Sequence, residues 1–103
     1  MKYQLVLQFP SDSFFDDNAA AALEEELTQV LGDSAYVDGH DLGLSETSIF
    51  VFTADPAKTF GRATQLLERK DLLESVTAAH RETDSDRYTV IWPQDFRKEF
   101  KLA

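Results

Sequence analysis

The clearest fold signal in the chain is Ile49-Phe50-Val51-Phe52-Thr53-Ala54-Asp55-Pro56. The residues from Thr47 to Thr53 favour a β-strand, and both of its faces are apolar, which is typical of an inner strand. Asp55 and Pro56 favour a helix start, because aspartate caps helix N-termini and proline fits the first helical turn. The pattern therefore predicts a central strand that leads directly into a helix.

Three elements are predicted on the N-terminal side of this strand. An alternation of apolar and polar residues from Tyr3 to Phe9 has the period of a strand, which Pro10 ends. A helix is expected from about Asp16 to Leu31, with Gly32 placed to stop it. A second strand is expected from Ala35 to His40. The predicted apolar stripe of the helix consists of Ala20, Leu23, Leu27, Val30 and Leu31, and Glu24, Glu25 and Glu26 are expected mainly on its solvent side.

On the C-terminal side, the helix that starts at Asp55 is expected to break near 69–71, where the apolar pattern weakens. A strand from Val76 to Glu82 is then expected to pair with one from Arg87 to Trp92. The order of elements predicts an α+β, ferredoxin-like sandwich of the form βαββαβ, with an extra C-terminal strand as an option and both helices on one face of an antiparallel sheet. Residues 1–93 form one predicted domain, and 94–103 a charged tail or short helix.

The charge of the chain restricts its partners. Acidic residues outnumber Lys and Arg by 19 to 10, which gives a formal net charge of −9. This charge repels phosphate backbones and anionic lipid surfaces, so we expect neither a nucleic acid nor a membrane as partner. A basic protein partner is compatible with it. The absence of cysteine excludes thiolate chemistry and thiolate metal sites, and without a leader or apolar span a cytoplasmic location is expected.

The segment from Asp38 to Thr47 is the candidate functional loop, defined by Asp38, His40, Asp41 and Glu46. A histidine among carboxylates suits a general base or a metal ligand, and Asp38 and His40 would share one face of a strand. The other interpretation is a charged hairpin loop with turns at Gly39 and Gly43. No catalytic residue, metal site or cofactor is assigned, because the sequence contains no hydrolase, phosphate-binding, dinucleotide-binding or zinc-protease motif.

The aromatic residues Phe50, Phe52 and Trp92 form a candidate interface on a sheet face that the helices would leave open. An uncovered apolar sheet face in a small sandwich is commonly hidden by a second copy, so a homodimer is expected. The same aromatics could instead line a small-molecule pocket. The acidic helix face with Glu24, Glu25 and Glu26 is either a solvated surface or a docking surface for a basic protein.

The chain also resembles small single-domain bacterial proteins of uncharacterised function. The resemblance rests on the segments Lys2-Tyr3-Gln4-Leu5-Val6-Leu7-Gln8-Phe9-Pro10, Val37-Asp38-Gly39-His40-Asp41-Leu42-Gly43, Ile49-Phe50-Val51-Phe52-Thr53 with Asp55-Pro56, and Tyr88-Thr89-Val90-Ile91-Trp92-Pro93. It covers about residues 2 to 93. It implies a bacterial origin and a ferredoxin-like fold, and it supplies no activity, cofactor or catalytic residue.

These observations lead to a non-enzymatic, acidic, cytoplasmic interaction protein that binds a protein partner, with an immunity or regulatory role as one form of that function. Two alternatives stay open at the level of sequence. One is a small enzyme or metal-binding protein centred on His40, with His80 near Glu82 as a second candidate base. The other is a small-molecule sensor that uses the open sheet face.

Overall fold

The computed structural model describes residues 1–10, 16–43, 45–96 and 100–102. In these residues the chain forms a five-stranded sheet and two α-helices. The strands are β1 (Tyr3–Pro10), β2 (Ala35–Leu42), β3 (Glu46–Thr53), β4 (Thr77–Glu82) and β5 (Thr89–Trp92), and the helices are α1 (Asp17–Leu31) and α2 (Pro56–Arg69). Every strand pair is antiparallel, and the order across the sheet is β2-β3-β1-β4-β5. The predicted α+β class is therefore confirmed.

The arrangement of β1 to β4 with the two helices is compatible with a ferredoxin-like sandwich. The fifth strand, β5, lies beside β4 and extends the sheet, so the strand order differs from that of the four-stranded form. Its pairing with β4 confirms the prediction that the segment 76–82 pairs with 87–92. The strand predicted to be internal, β3, lies between β2 and β1, so it is hydrogen-bonded on both sides.

The sequence identified the helix ends correctly. The side chain of Asp16 accepts a hydrogen bond from the Ala19 N–H at 2.8 Å, and this fixes the start of α1. Gly32 ends the same helix with a φ of 57°, a left-handed conformation that glycine adopts at low cost. At α2 the side chain of Asp55 accepts from the Lys58 N–H at 3.1 Å. Both helices therefore start at the predicted aspartates.

The main core lies between the helices and one sheet face, which we call the helix-covered face. Its fully buried side chains include Leu5, Leu7, Phe9, Leu23, Leu27, Ile49, Val51 and Leu67. Two expectations for α1 are wrong. Val30 does not join the buried stripe, since 39% of its surface is exposed. Glu24 does not point mainly to solvent, because its carboxylate contacts His40 on β2.

The opposite sheet face, which we call the second face, carries Gln4, Val6 and Gln8 of β1 and Phe50 and Phe52 of β3. The C-terminal segment returns to this face. The side-chain amide of Gln8 donates to the Lys101 carbonyl at 2.8 Å, and the Phe100 ring packs 5.1 Å from the ring of Tyr88. The face expected to be open is therefore contacted by the protein's own tail.

In that tail, residues 94–95 lie in a turn, while 96 and 100–102 have irregular backbone. Residues 97–99, on which the expected short helix depends, lie outside the described residues. Neither helix in the described part of the chain has the length and apolar run that a membrane span requires.

Candidate functional site

The candidate functional loop is mostly strand. β2 continues to Leu42 and β3 begins at Glu46, so the connection is shorter than predicted, and the Gly43 N–H donates to the Glu46 carbonyl at 2.8 Å. A β-bulge interrupts β2, because Val37 pairs with Val51 while Gly39 pairs with Phe50, which leaves Asp38 as the extra residue. The glycine has a φ of 150°, which other residues rarely adopt.

The bulge decides which way His40 points. After the extra residue, His40 pairs with Ile49, a core residue of the helix-covered face. Asp38 lies beside Gly39 opposite Phe50, a residue of the second face. The expectation that Asp38 and His40 share one face is therefore wrong, because it assumed an uninterrupted alternation along the strand.

His40 contacts two carboxylates of α1. Its Nε2 lies 2.7 Å from Oδ1 of Asp17, and its Nδ1 forms a second short hydrogen bond with Oε2 of Glu24. The imidazole is 17% exposed, and the side chain of Glu24 is 20% exposed, whereas that of Asp17 is 76% exposed. The histidine thus ties strand β2 to the first half of the helix above it.

The two hydrogen bonds determine the protonation state of His40. A neutral imidazole has one donor and one acceptor, whereas an ionised carboxylate only accepts. Both bonds are satisfied only when His40 is the imidazolium. The hydrogen bonds to Asp17 and then to Glu24 raise the pKa of His40 above its usual 6.5, and this effect outweighs the opposing effect of burial.

This arrangement argues against catalysis or metal binding at His40. A general base or a metal ligand needs a ring nitrogen with a free lone pair, and both ring nitrogens are engaged. The expected orienting partners, Asp38 and Asp41, form neither of the two hydrogen bonds to the ring. Asp17 and Glu24 approach opposite sides of the imidazole, so they cannot share one ion with it, and no metal-binding group of three or more ligands occurs among the described residues.

Sequence reasoning missed Asp17 and Glu24 as the partners of His40. A signal was available, because the two acids are seven residues apart and therefore lie on the same side of a helix. What the sequence did not show is that this side faces β2. The docking of α1 on β2 depends on contacts between segments far apart in the chain.

The other two members of the predicted loop lie elsewhere. Asp41 pairs with Ser48, and both Asp41 and Glu46 line an open groove of about 670 Å³ between the β2–β3 turn and the C-terminal segment. Lys101 and Leu102 form the other wall of this groove. Asp38 is exposed at the bulge. The four residues predicted to act together therefore occupy three separate environments.

The predicted aromatic interface is also divided. Trp92 packs against the main core, 6.1 Å from the ring of Phe60, and its indole N–H donates to the Leu73 carbonyl at 2.9 Å. Phe50 and Phe52 are half-buried on the second face. Trp92 therefore lies on the opposite side of the sheet and cannot form one surface with them.

The second histidine, His80, is a packing residue. It pairs with Leu5 on the helix-covered face, and its ring meets that of Tyr3 edge to face at 5.7 Å. Its Nδ1 is buried without a hydrogen-bond partner among the described residues. Burial lowers the pKa of His80, which favours the neutral ring at neutral pH.

Charge is distributed unevenly along the chain and across the fold. All 10 Lys and Arg residues lie at position 2 or within 58–101, while more than half of the 19 acidic residues lie within 3–57. That acidic segment includes α1, β2 and β3, and β2 is one edge of the sheet with α1 packed on it. Exposed carboxylates on this side belong to Asp16, Asp17, Glu25, Asp33, Asp38 and Asp41. We call it the acidic side.

No protein-family model, curated protein or solved structure matches this chain. Its function is therefore inferred from the geometry and charge of its own residues.

Proposed function

We propose that this protein is a non-enzymatic interaction protein that binds a basic protein partner through its acidic side. The fold we assign to it is a ferredoxin-like sandwich extended by one strand. The observation that carries the proposal is the separation of charge, since the segment 3–57 contains no Lys or Arg and supplies the elements around the β2 edge. A surface with one sign of charge steers an oppositely charged partner into place and sets its orientation.

One further observation supports binding over catalysis. Both nitrogens of His40 are occupied by carboxylates of α1, so the histidine stabilises the acidic side and is not available to a substrate. On the same side, part of the acidity is already balanced, since Glu26 forms a 2.7 Å ion pair with Lys70 of the segment after α2. The proposal depends on the exposed carboxylates of α1, β2 and the turn between them, which form no ion pair with Lys or Arg among the described residues.

Such a complex would cover a basic surface of the partner, which is how an antagonist or a regulator acts. Homodimerisation is the competing form of interaction. It would bring two chains with a net charge of −9 together, and a contact through the β2 edges would place the acidic sides of both copies against each other. Like charges that face each other are unfavourable, so the charge favours a basic partner over a second copy.

The experiment is chemical cross-linking and capture from the native host with three forms of the protein. These are the natural sequence, a test variant with Glu25→Gln, Asp33→Asn and Asp38→Asn, and a control with Glu68→Gln, Glu74→Gln and Asp84→Asn. All six positions are exposed, and both variants lose the same charge. We expect a basic protein that is captured at low salt, lost at high salt, lost with the test variant and retained by the control. Equal capture by both variants would contradict the proposal.

A further inference from the structure

Part of the second face close to the β2 edge is aromatic. Tyr36 of β2 pairs with Phe52 of β3, and Gly39 pairs with Phe50. Tyr36 is 58% exposed, and the two phenylalanines are half-buried. We call these three residues, Tyr36, Phe50 and Phe52, the aromatic strip. Exposed tyrosine beside half-buried phenylalanine is a composition that protein interfaces favour.

The strip has room for an added group at Gly39. In the described part of the chain, a Cβ atom built at this glycine would meet no atom within 4 Å, although the glycine lies directly opposite Phe50. The C-terminal segment contacts the second face at Gln8, which pairs with Ser48. Tyr36 and Phe52 lie toward the other end of the strands, where Phe52 pairs with Gln4 of β1. The hydrogen bond between Gln8 and Lys101 therefore lies away from that end of the strip.

The rim of the strip is acidic. Asp38 is the extra residue of the bulge, it is exposed, and it lies beside Gly39 next to the strip. An aromatic face with an adjacent carboxylate is the combination that suits a guanidinium group, which stacks on an aromatic ring and donates paired hydrogen bonds to a carboxylate. A lysine ammonium has neither the planar face nor the forked donors, so the combination discriminates between the two cations.

We propose that the aromatic strip and Asp38 bind arginine side chains of the basic partner. This inference rests on the proposed function and names the part of the acidic side at which contact is made. A second copy of this chain would place Asp38 and its neighbouring acids against those of the first, whereas an arginine-bearing segment complements both the rings and the carboxylate. The strip is therefore assigned to the partner and not to a homodimer contact.

The test uses fluorescence anisotropy of an extended peptide of alternating arginine and threonine, compared with the same peptide carrying lysine in place of arginine. The protein forms are the natural sequence, Tyr36→Ala, Asp38→Asn, the double variant Glu25→Gln/Asp33→Asn, and the controls Val30→Ala and Asp84→Asn. Val30 is an exposed apolar residue of α1, and Asp84 is an exposed acid in the β4–β5 turn. Because the tested side chains are exposed, the fold is expected to survive, and circular dichroism verifies this.

The arginine peptide is expected to bind more tightly than the lysine peptide. Tyr36→Ala should weaken its binding roughly three- to fivefold, which is the size of an exposed cation–π contact, and Asp38→Asn should weaken it as well, while the controls leave it unchanged. If neither Tyr36→Ala nor Asp38→Asn weakens binding but Glu25→Gln/Asp33→Asn does, the assignment of the strip as the arginine site is overturned and the proposed function stands. If no form binds either peptide at low salt, both are overturned. A concentration-dependent dimer that Tyr36→Ala abolishes would assign the strip to a second copy and overturn the inference.

Discussion

The imidazole Nε2 of His40 lies 2.7 Å from the Oδ1 of Asp17, which ties the middle of strand β2 to the first turn of helix α1. The other ring nitrogen contacts Glu24, two turns further along the same helix. One side chain thus fixes the position of α1 over the sheet edge. Since the exposed carboxylates of the acidic side lie on these two elements or directly beside them, the contact influences how they are displayed.

The stability of the protein should fall as the pH rises above neutrality. The folded-state pKa of His40 is raised above the unfolded value of 6.5, so its contribution is fully present below 6.5 and is lost as the pH rises through the folded value. His40→Gln should lower the free energy of unfolding by about 1–2 kcal/mol at about pH 6 and by less at about pH 8. The effect is small because the Asp17 partner is exposed to solvent. Urea unfolding at both pH values measures this. A pH-independent cost would show that the imidazolium is not the stabilising form.

His80 should act in the opposite sense on the acid side. Its folded-state pKa is lowered, so stability is lost as the pH falls below 6.5 toward the folded value, because protonation then favours the unfolded chain. His80→Phe removes a buried nitrogen that has no hydrogen-bond partner in the described part of the chain, and it keeps an aromatic ring beside Tyr3. The variant should unfold at higher urea concentration than the natural protein at about pH 5.5, by up to about 1 kcal/mol. A less stable variant at that pH would mean that the ring nitrogens matter to the fold.

The bulge should depend on Gly39. At a φ of 150° an alanine is strained although no atom of the described residues lies within 4 Å of its Cβ, so Gly39→Ala should lower the free energy of unfolding by about 1 kcal/mol or more. Gly61→Ala is the matched control, because Gly61 lies inside α2 and its Cβ would also have no described atom within 4 Å. In a helix that change should stabilise by up to about 1 kcal/mol. Thermal unfolding measures both variants. If both substitutions changed the stability in the same direction, the proposed strain at Gly39 would be contradicted.

Removal of residues 94–103 should expose the second face. The C-terminal segment contacts this face through the Gln8–Lys101 hydrogen bond and the packing of Phe100 on Tyr88. The shortened protein should bind a hydrophobic dye more strongly and self-associate with rising concentration. Phe100→Ala should have the same effects in weaker form, with a stability loss of about 1–2 kcal/mol because the ring is only half-buried. Unchanged dye binding in both would show that the tail does not protect this face.

The positions of most helices and strands were predicted correctly because the signals for them lie close together in the sequence. Alternation identified β1, the aspartates at 16 and 55 marked the helix starts, and Gly32 marked the end of α1. Each of these signals depends on residues within a few positions of one another. The short β2–β3 connection was missed because acidic residues and glycines resemble loop composition even when they lie on an exposed edge strand.

The site was harder to predict because it depends on contacts between distant segments. A single extra residue, Asp38, reverses the side to which His40 points, and no alternation pattern shows where a bulge will form. Asp17 lies 23 positions from His40, and Glu24 lies 16 positions from it. Trp92 was grouped with Phe50 by residue type, yet the order of the strands places its ring on the helix-covered face.

The most direct test of the claim that a basic partner binds the acidic side at the aromatic strip and Asp38 is an NMR titration of backbone amides with the arginine–threonine peptide. This measurement locates contact along the whole chain. The account predicts that the largest shift changes fall in residues 36–41 of β2 and 50–52 of β3, and that they vanish at high salt. Largest changes in α2 or the β4–β5 turn, or small changes spread evenly over all exposed carboxylates, would contradict it.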